Sequence, residues 1–111
     1  MTDCIFCKII ERQRPASIVY EDDDMIAIND LHPQAPTHIL LIPKKHIPTI
    51  EEASPEIIGK LISQGSVLAK EAGISAKGYR TVINCGQHGG QSVNHLHVHL
   101  LGGRWLSWPP G

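Results

Sequence analysis

The sequence predicts an α+β fold in which an antiparallel five-stranded sheet packs with one long and one short helix. Five short segments rich in aliphatic and β-branched residues follow one another without regular alternation of strand and helix, which favours antiparallel pairing. One longer segment repeats apolar residues at helical spacing. The chain has 111 residues, of which 41% are hydrophobic and 19% charged. We therefore expect one globular domain over residues 1–111.

The two helices are marked by their end signals. Asp3 is the predicted cap of a short helix that begins at the next residue, and the Arg-Pro pair at 14–15 is expected to end it. The long helix is predicted to follow Ser54 as N-cap, with Pro55 at its first position. Gly73 is well placed to close it.

The strands are bounded by turn-forming residues. An acidic turn at 21–24 joins the first two strands into a hairpin, and the proline-rich loop 32–36 follows. The third strand is strongly apolar and is stopped by Pro43. The predicted strands cover residues 17–20, 25–29, 37–42, 79–84 and 94–101.

The last strand carries the most informative pattern in the chain. His95, His97 and His99 are spaced two apart, so they project from one face of a strand, while the aliphatic residues between them point to the other. Imidazoles titrate near neutral pH, and the preceding glycine-rich stretch 86–92 offers backbone N–H donors. This pattern indicates chemistry on an anion in preference to a solvated strand that carries histidines by chance.

Two chemistries use imidazoles clustered in this way. Three neutral histidines can ligate zinc, with a bound water as the nucleophile. Alternatively, one histidine attacks phosphorus while the others handle protons or hold the phosphate. The alternation of side chains fits both. The glycines let the backbone approach a phosphate closely, and Ser92 adds a hydroxyl donor, which favours the second chemistry.

Several separated motifs resemble the histidine triad (HIT) superfamily. They are His-Leu-His-Val-His-Leu-Leu at 95–101, the segment 30–45 from Asp-Leu-His-Pro to Ile-Pro-Lys-Lys, Gly-Gly-Gln-Ser-Val at 89–93, and the final Trp-Pro-Pro-Gly. The chain looks most similar to the HINT branch, the histidine triad nucleotide-binding proteins. The resemblance implies a HIT-like fold and hydrolysis of nucleoside phosphoramidates, with AMP-type purine nucleoside monophosphate derivatives as substrates. It also implies a homodimer formed through the long helix and the strand after Tyr79.

The resemblance also implies roles for individual residues. His97 would be the nucleophile and form a nucleotidyl-histidine, which water then cleaves. The backbone carbonyl of His95 would orient it, His99 would contact the phosphate, and His38 would lie beside the triad. Asp30 would accept from the ribose hydroxyls. The phosphate or leaving group would be bound by Ser92, the Val93 N–H, Asn84 and Gln91; the base and sugar would contact Ile5, Phe6, Ile9, Ile28, Asn29, Leu31 and Leu40. Core packing is the alternative explanation for each of these apolar residues.

The Cys4-x-x-Cys7 pair has several readings. From spacing alone a redox pair, half a zinc site and coincidence stay open, although a thioredoxin-like redox motif would need an adjacent βαβ unit. Some bacterial HIT proteins place zinc on two such cysteines and two histidines, at positions matching His46 and His95. The resemblance therefore implies a closed, structural zinc site, with no cofactor needed for catalysis.

Composition excludes several function classes. The formal net charge of −1 provides no general basis for binding long nucleic acid. No apolar run approaches the roughly 20 residues that span a bilayer, and the start Met1-Thr2-Asp3-Cys4 has no secretory pattern. Three cysteines without an export signal favour reduced thiols and a cytoplasmic setting. The alternative functions are a dinucleoside polyphosphate hydrolase and a nucleotide-binding or interaction module with incidental hydrolysis.

Overall fold

The computed structural model describes residues 3–111, which form the predicted α+β fold. Met1 and Thr2, on which part of the expectation of no secretory signal rests, lie outside the described residues. A 3-10 turn, Ile50–Glu52, precedes the long helix. The helices and strands are α1 (Ile5–Ile10), β1 (Ile18–Glu21), β2 (Met25–Asn29), β3 (Thr37–Pro43), α2 (Pro55–Glu71), β4 (Tyr79–Val82) and β5 (Val98–Gly102).

The five strands form one sheet in the order β1-β2-β3-β5-β4, and every neighbouring pair is antiparallel. β3 is the central strand, and its residues from His38 to Pro43 are buried. β3 pairs with β5 so that Leu40 lies opposite His99 and His38 opposite Leu101. The central pair of strands therefore brings two distant histidines onto adjacent positions.

The long helix α2 covers one face of the sheet. Ser54 caps it by accepting from the Ile57 N–H, and Pro55 occupies the first turn, as predicted. Gly73 ends it in the left-handed region at φ 76°, with Ile74 N–H donating to Ala69 O across the last turn. No helix in the described part of the chain is long and apolar enough to cross a lipid bilayer. The buried sheet residues that pack beneath α2, here called the α2 cluster, include Ala27, Ile39, Leu41, Leu96, Val98 and Leu100.

The short helix α1 covers the opposite face. The strand residues beneath it are those at the alternate positions, as the period of two requires. Leu40 and Ile42 share this face with His38, as the sequence predicts. The packed residues, here called the α1 cluster, are Phe6, Ile9, Ile26, Ile28, Leu40 and Ile42.

Helix α1 differs from its prediction at both ends. Cys4, not Asp3, is the N-cap, because its Sγ accepts the Cys7 N–H at 3.4 Å. The helix ends at Ile10 rather than at 14–15. Arg12 adopts φ 64°, which turns the chain out of the helix, and its guanidinium forms an ion pair with Glu21.

Two strands are shorter than predicted, β5 at its start and β4 at its end. β5 begins at Val98 instead of residue 94, so His95 and His97 precede the strand. The physical reason is Pro43, which would lie opposite Leu96 but has no N–H to continue the ladder; Leu96 N–H donates to Ile47 O instead. β4 ends at Val82 and leaves Asn84 in the following loop.

Candidate active site and metal centre

Histidine rings follow one another along the α1 face of the sheet. The ring centroids of His38 and His99 are 5.2 Å apart, and those of His97 and His99 are 5.0 Å apart. Phe6 on α1 packs edge-on against His97 at 5.0 Å and against His95 at 5.7 Å. The helix thus holds the histidine rings against the end of the sheet.

His97 has one ring nitrogen anchored and the other unpaired. Its Nδ1–H donates to the backbone oxygen of His95 at 2.7 Å, the hydrogen bond that the resemblance implies. Within residues 3–111, every fully buried side-chain nitrogen or oxygen has a hydrogen-bond partner. Nε2 of His97 has no such partner, so it is reachable from solvent. With the proton on Nδ1, this nitrogen carries a lone pair.

The hydrogen-bond partners of His38 and His99 determine where their protons lie. The backbone N–H of Gln34 donates to Nδ1 of His38 at 3.0 Å, so this nitrogen must accept. The neutral ring therefore carries its proton on Nε2, which lies 2.9 Å from Nδ1 of His99. His99 accepts there and carries its own proton on Nε2, which has no hydrogen-bond partner among residues 3–111. The His38–His99 pair therefore presents the Nε2–H of His99 as a hydrogen-bond donor.

The pKa shifts agree with neutral rings. Burial lowers the pKa of His99 to about 4, with further lowering by His97 and His38 and partial opposition from Asp30. Burial also lowers the pKa of His38, which Asp30 partly offsets. Neutral His99 donates a hydrogen bond without adding positive charge.

Asp30 lies where a carboxylate can reach both the histidines and solvent. Its Oδ1 accepts the His32 N–H at 2.8 Å, while Oδ2 lies 3.5 Å from Nε2 of His38. The side chain is partly exposed. It therefore has an acceptor oxygen available for a ligand beside His38.

The residues predicted to bind the phosphate or the leaving group lie in and just before the glycine-rich loop. Ser92 is exposed and Val93 half-buried. The side-chain amide of Gln91 donates to Pro48 O and Val93 O, and its oxygen accepts the Gly86 N–H, so Gln91 stabilises the loop. Asn84 lines a separate cleft of about 470 Å³ between β4 and the C-terminal segment.

The predicted base pocket divides into core and surface residues. Phe6, Ile9, Ile28 and Leu40 are buried in the α1 cluster, so core packing accounts for them as they stand; Ile5 is half-buried beside it. Leu31 is 82% exposed. Asn29 is exposed and donates through its amide to Ser17 Oγ at 2.9 Å. These surface residues adjoin Asp30 in the chain.

Cys4, Cys7, His46 and His95 bring four ligand atoms together, all within 4.8 Å of one another. Nδ1 of His95 lies 3.1 Å from Nδ1 of His46 and 3.3 Å from Sγ of Cys4. Sγ of Cys7 lies 3.2 Å from Nδ1 of His46. Ligand atoms around a tetrahedral zinc are separated by about 3.3 to 3.8 Å, given its usual bond lengths. The cluster therefore has close to the dimensions of a zinc site.

The surroundings of the cluster also suit a cation. His95 donates its Nε2–H to Pro43 O at 2.8 Å, so the lone pair of Nδ1 faces the cysteines, as in a metal-bound histidine with an outer partner. Burial lowers the pKa of His95 and keeps its ring neutral. Burial and Cys4 raise the pKa of the Cys7 thiol to about 11, so a bound cation would be needed to favour its thiolate at neutral pH.

A second group, Asp30, His38 and His99, is compact enough for a metal. However, the hydrogen bond on the far side of the His38 ring does not suit metal binding. Metal binding at Nε2 would require a neutral His38 to carry its proton on Nδ1. That nitrogen already accepts the Gln34 N–H. His97 belongs to neither compact group within the described residues. The geometry therefore disfavours the alternative of three triad histidines sharing one zinc ion.

Sequence reasoning missed the residues that orient the histidines. Pro43 and Gln34 act through backbone atoms, which no side-chain pattern reveals. Arg104 donates from Nε and Nη2 to Gln34 O at 3.0 and 2.8 Å, across 70 positions of the chain. The only available signal was the charge of Arg104 in a Gly-Gly-Arg segment directly after the histidine strand.

Comparisons with known proteins identify the family of this chain. The model of the HIT domain matches residues 11–106. An uncharacterized HIT-like protein of Synechococcus elongatus is 54% identical over 98% of this chain and 97% of its own length. A 14 kDa zinc-binding protein of Zea mays is 51% identical over 96% of this chain and 87% of its own length.

Solved structures agree. A HIT family hydrolase from Legionella pneumophila superposes with a TM-score of 0.95 at 47% identity, covering 98% of this chain and all of that one (100%). A zinc-bound histidine triad family protein from Mycobacterium smegmatis has a TM-score of 0.83 at 31% identity, covering 92% of this chain and 76% of that one. The five-stranded sheet with one long and one short helix is thus shared with solved proteins.

Proposed function

The chain belongs to the HIT domain family, and from this premise we propose that it is a nucleoside phosphoramidate hydrolase of the HINT branch. Its substrates would be AMP-type purine nucleoside monophosphate derivatives, bound by a single domain over residues 1–111. The hydrolase named among its solved relatives supports the general class of reaction. The observation that carries the proposal is the state of His97, whose Nδ1–H is anchored while Nε2 is unpaired.

The first step would form a bond between Nε2 of His97 and phosphorus and break the bond from phosphorus to the amine nitrogen, which takes up one proton from solvent as it leaves. The ring becomes positively charged, and the His95 carbonyl that accepts its Nδ1–H stabilises that charge. The Nε2–H of His99 and the hydroxyl of Ser92 would donate to the phosphate oxygens, since developing negative charge needs fixed donors.

The second step would return the enzyme to its starting state. Water attacks phosphorus and the bond to Nε2 of His97 breaks, which restores its lone pair. The attacking water leaves its hydroxyl on phosphorus and releases one proton to solvent, which replaces the proton that the amine took up, so one water is consumed overall. His38 would act through His99: the Nε2–H of His38 donates to Nδ1 of His99, so the proton of His99 stays on its own Nε2.

Hydrolysis of an adenosine phosphoramidate tests this function. We expect His97→Ala to lower kcat by a factor of about 10³ or more, because the variant has no nucleophile. His32→Ala is the matched control, since that exposed side chain lies outside the proposed machinery. Near wild-type turnover by His97→Ala would contradict the assignment. Mass spectrometry of quenched reactions should find an adenylyl group on His97. A preference for dinucleoside polyphosphates over the phosphoramidate would instead favour the alternative function, a dinucleoside polyphosphate hydrolase.

We also propose that Cys4, Cys7, His46 and His95 hold a structural zinc ion. The donor set and its spacing fit a closed tetrahedral shell, and the zinc-binding and zinc-bound relatives support the choice of metal. A bound ion would tie α1 to the segment after β3, which carries His46, and to the segment before β5, which carries His95. It would also hold the ring of His95, whose backbone carbonyl orients His97. Elemental analysis of protein purified without added metal tests this, and less than about a tenth of an equivalent would contradict a resident ion.

A homodimer through α2 and β4 completes the proposal. The supporting surface consists of apolar side chains on those elements: Ile62 is 37% exposed, Val67 44% and Tyr79 37%. Such residues on a helix face and an adjoining edge strand are suited to burial against a second copy. Light scattering coupled to size exclusion measures the mass, and a monomer at micromolar concentration would contradict the dimer.

A further inference from the structure

The C-terminal segment is tied to the loop that precedes β3. Two guanidinium nitrogens of Arg104 donate to the same backbone oxygen, that of Gln34, at 3.0 and 2.8 Å, and a third donates to Trp105 O at 2.8 Å. Gly103 permits this approach, because a Cβ there would lie 2.9 Å from Cβ of Pro36. A planar guanidinium holds such an acceptor in a defined position.

The residue that Arg104 holds is also the residue that orients the histidine pair. Gln34 N–H donates to Nδ1 of His38 and thereby keeps the His38 proton on Nε2. That proton reaches Nδ1 of His99, so His99 keeps its own proton on Nε2. Within the described residues, the other hydrogen bonds of this loop run from Asp30 N–H to His38 O, from His32 N–H to Asp30 Oδ1 and from the Gln34 side-chain amide to His32 O. None of them involves the backbone N–H or oxygen of Gln34.

We propose that Arg104 is a positioning residue: by holding Gln34 it fixes the tautomers of His38 and His99, so that His99 presents an N–H to the phosphate. If Gln34 moved away, His38 could carry its proton on Nδ1 and accept at Nε2. His99 would then donate from Nδ1 and present the lone pair of Nε2, which repels an anionic phosphate oxygen. The statement that His99 donates to the phosphate rests on the proposed function, whereas the statement that Arg104 fixes the tautomers does not.

Imidazole nitrogen NMR on substrate-free protein tests the tautomers directly. Protonated and unprotonated ring nitrogens have well-separated ¹⁵N shifts, so each histidine reports which nitrogen carries its proton. In the wild type we expect the proton on Nε2 of both His38 and His99. In Arg104→Ala we expect both rings to show mixed tautomers, while Arg104→Lys, which keeps one donor to Gln34 O, should restore part of the wild-type pattern.

Arg80→Ala is the matched control. Arg80 also binds the C-terminal segment, through Ser107 O at 2.9 Å, but among the described residues it makes no hydrogen bond to Gln34. It should leave the tautomers of His38 and His99 unchanged. Equal disturbance by both variants would mean that the tail acts only as general structural support, and would overturn the proposal.

Kinetics with an adenosine phosphoramidate supply the second readout. We expect Arg104→Ala to lower kcat by about tenfold with little change in KM, because a misoriented donor weakens the transition state more than the ground state. Unchanged tautomers or unchanged kcat in Arg104→Ala would overturn the proposal. If the wild type hydrolyses no phosphoramidate but its tautomers respond as expected, the proposed function fails while the positioning of the His99 N–H by Arg104 stands.

Discussion

Acidification should weaken the fold through His99. Its pKa falls from an ordinary 6.5 to about 4, first because the ring is buried and then because His97 and His38 lie beside it; Asp30 acts in the opposite direction. In the unfolded chain the same imidazole takes up a proton near pH 6.5. Between these values the unfolded state binds more protons, so the free energy of unfolding falls as the pH falls.

The expected size follows from this difference in pKa. It corresponds to about 3 kcal/mol for a ring fully shielded from water. His99 is only partly buried, so solvent screening reduces the contribution, and we expect about 1–2 kcal/mol. This stabilisation is fully present above pH 6.5 and is lost as the pH falls through the folded-state value of about 4.

Urea unfolding of the wild type and of His99→Asn, at one protein concentration and at intervals from pH 7 to 4, measures the effect. Asparagine cannot titrate, but its side-chain oxygen can still accept from His38. The metal ligands and His38 are common to both proteins, so their protonation largely cancels in the comparison. The wild type should lose about 1–2 kcal/mol more than the variant. An equal loss in both proteins would refute the reasoning.

Three further predictions concern the metal and the glycines. Chelation should lower the Tm of the wild type but not of Cys7→Ser, because zinc at 100 times its Kd contributes about 3 kcal/mol; calorimetry that finds equal shifts would contradict a stabilising ion. Gly102→Ala should lower the free energy of unfolding by about 1–3 kcal/mol, since its Cβ would lie 2.5 Å from Cδ1 of Ile74. A urea midpoint equal to that of the wild type would contradict this prediction. Gly65→Ala should raise the free energy of unfolding by about 1 kcal/mol, because a Cβ there meets Leu41 at an ordinary 3.7 Å in mid-helix; a lower urea midpoint than that of the wild type would contradict this prediction.

The sequence predicted well those elements that local chemistry specifies. β2 covers Met25–Asn29 as expected, and α2 begins at Pro55 after the predicted Ser54 cap. Both are marked by adjacent residues, the strand by aliphatic side chains and the helix by a hydroxyl cap followed by proline. The start of β5 was wrong by four residues because its limit is set by Pro43 on a neighbouring strand, and strand pairing joins residues that are far apart in the chain.

The sequence by itself determined the fold class, the family and the residue types available for chemistry. Alternation placed the three triad histidines apart from the aliphatic residues between them, and the motifs selected the HIT family. Only the tertiary structure decided which ring nitrogen of each of these histidines donates and which accepts. Pro43 O turns the ring of His95 towards the cysteines, and Gln34 N–H sets the proton of His38. A ring nitrogen becomes a donor or an acceptor according to the atom it faces, and folding alone brings those atoms together.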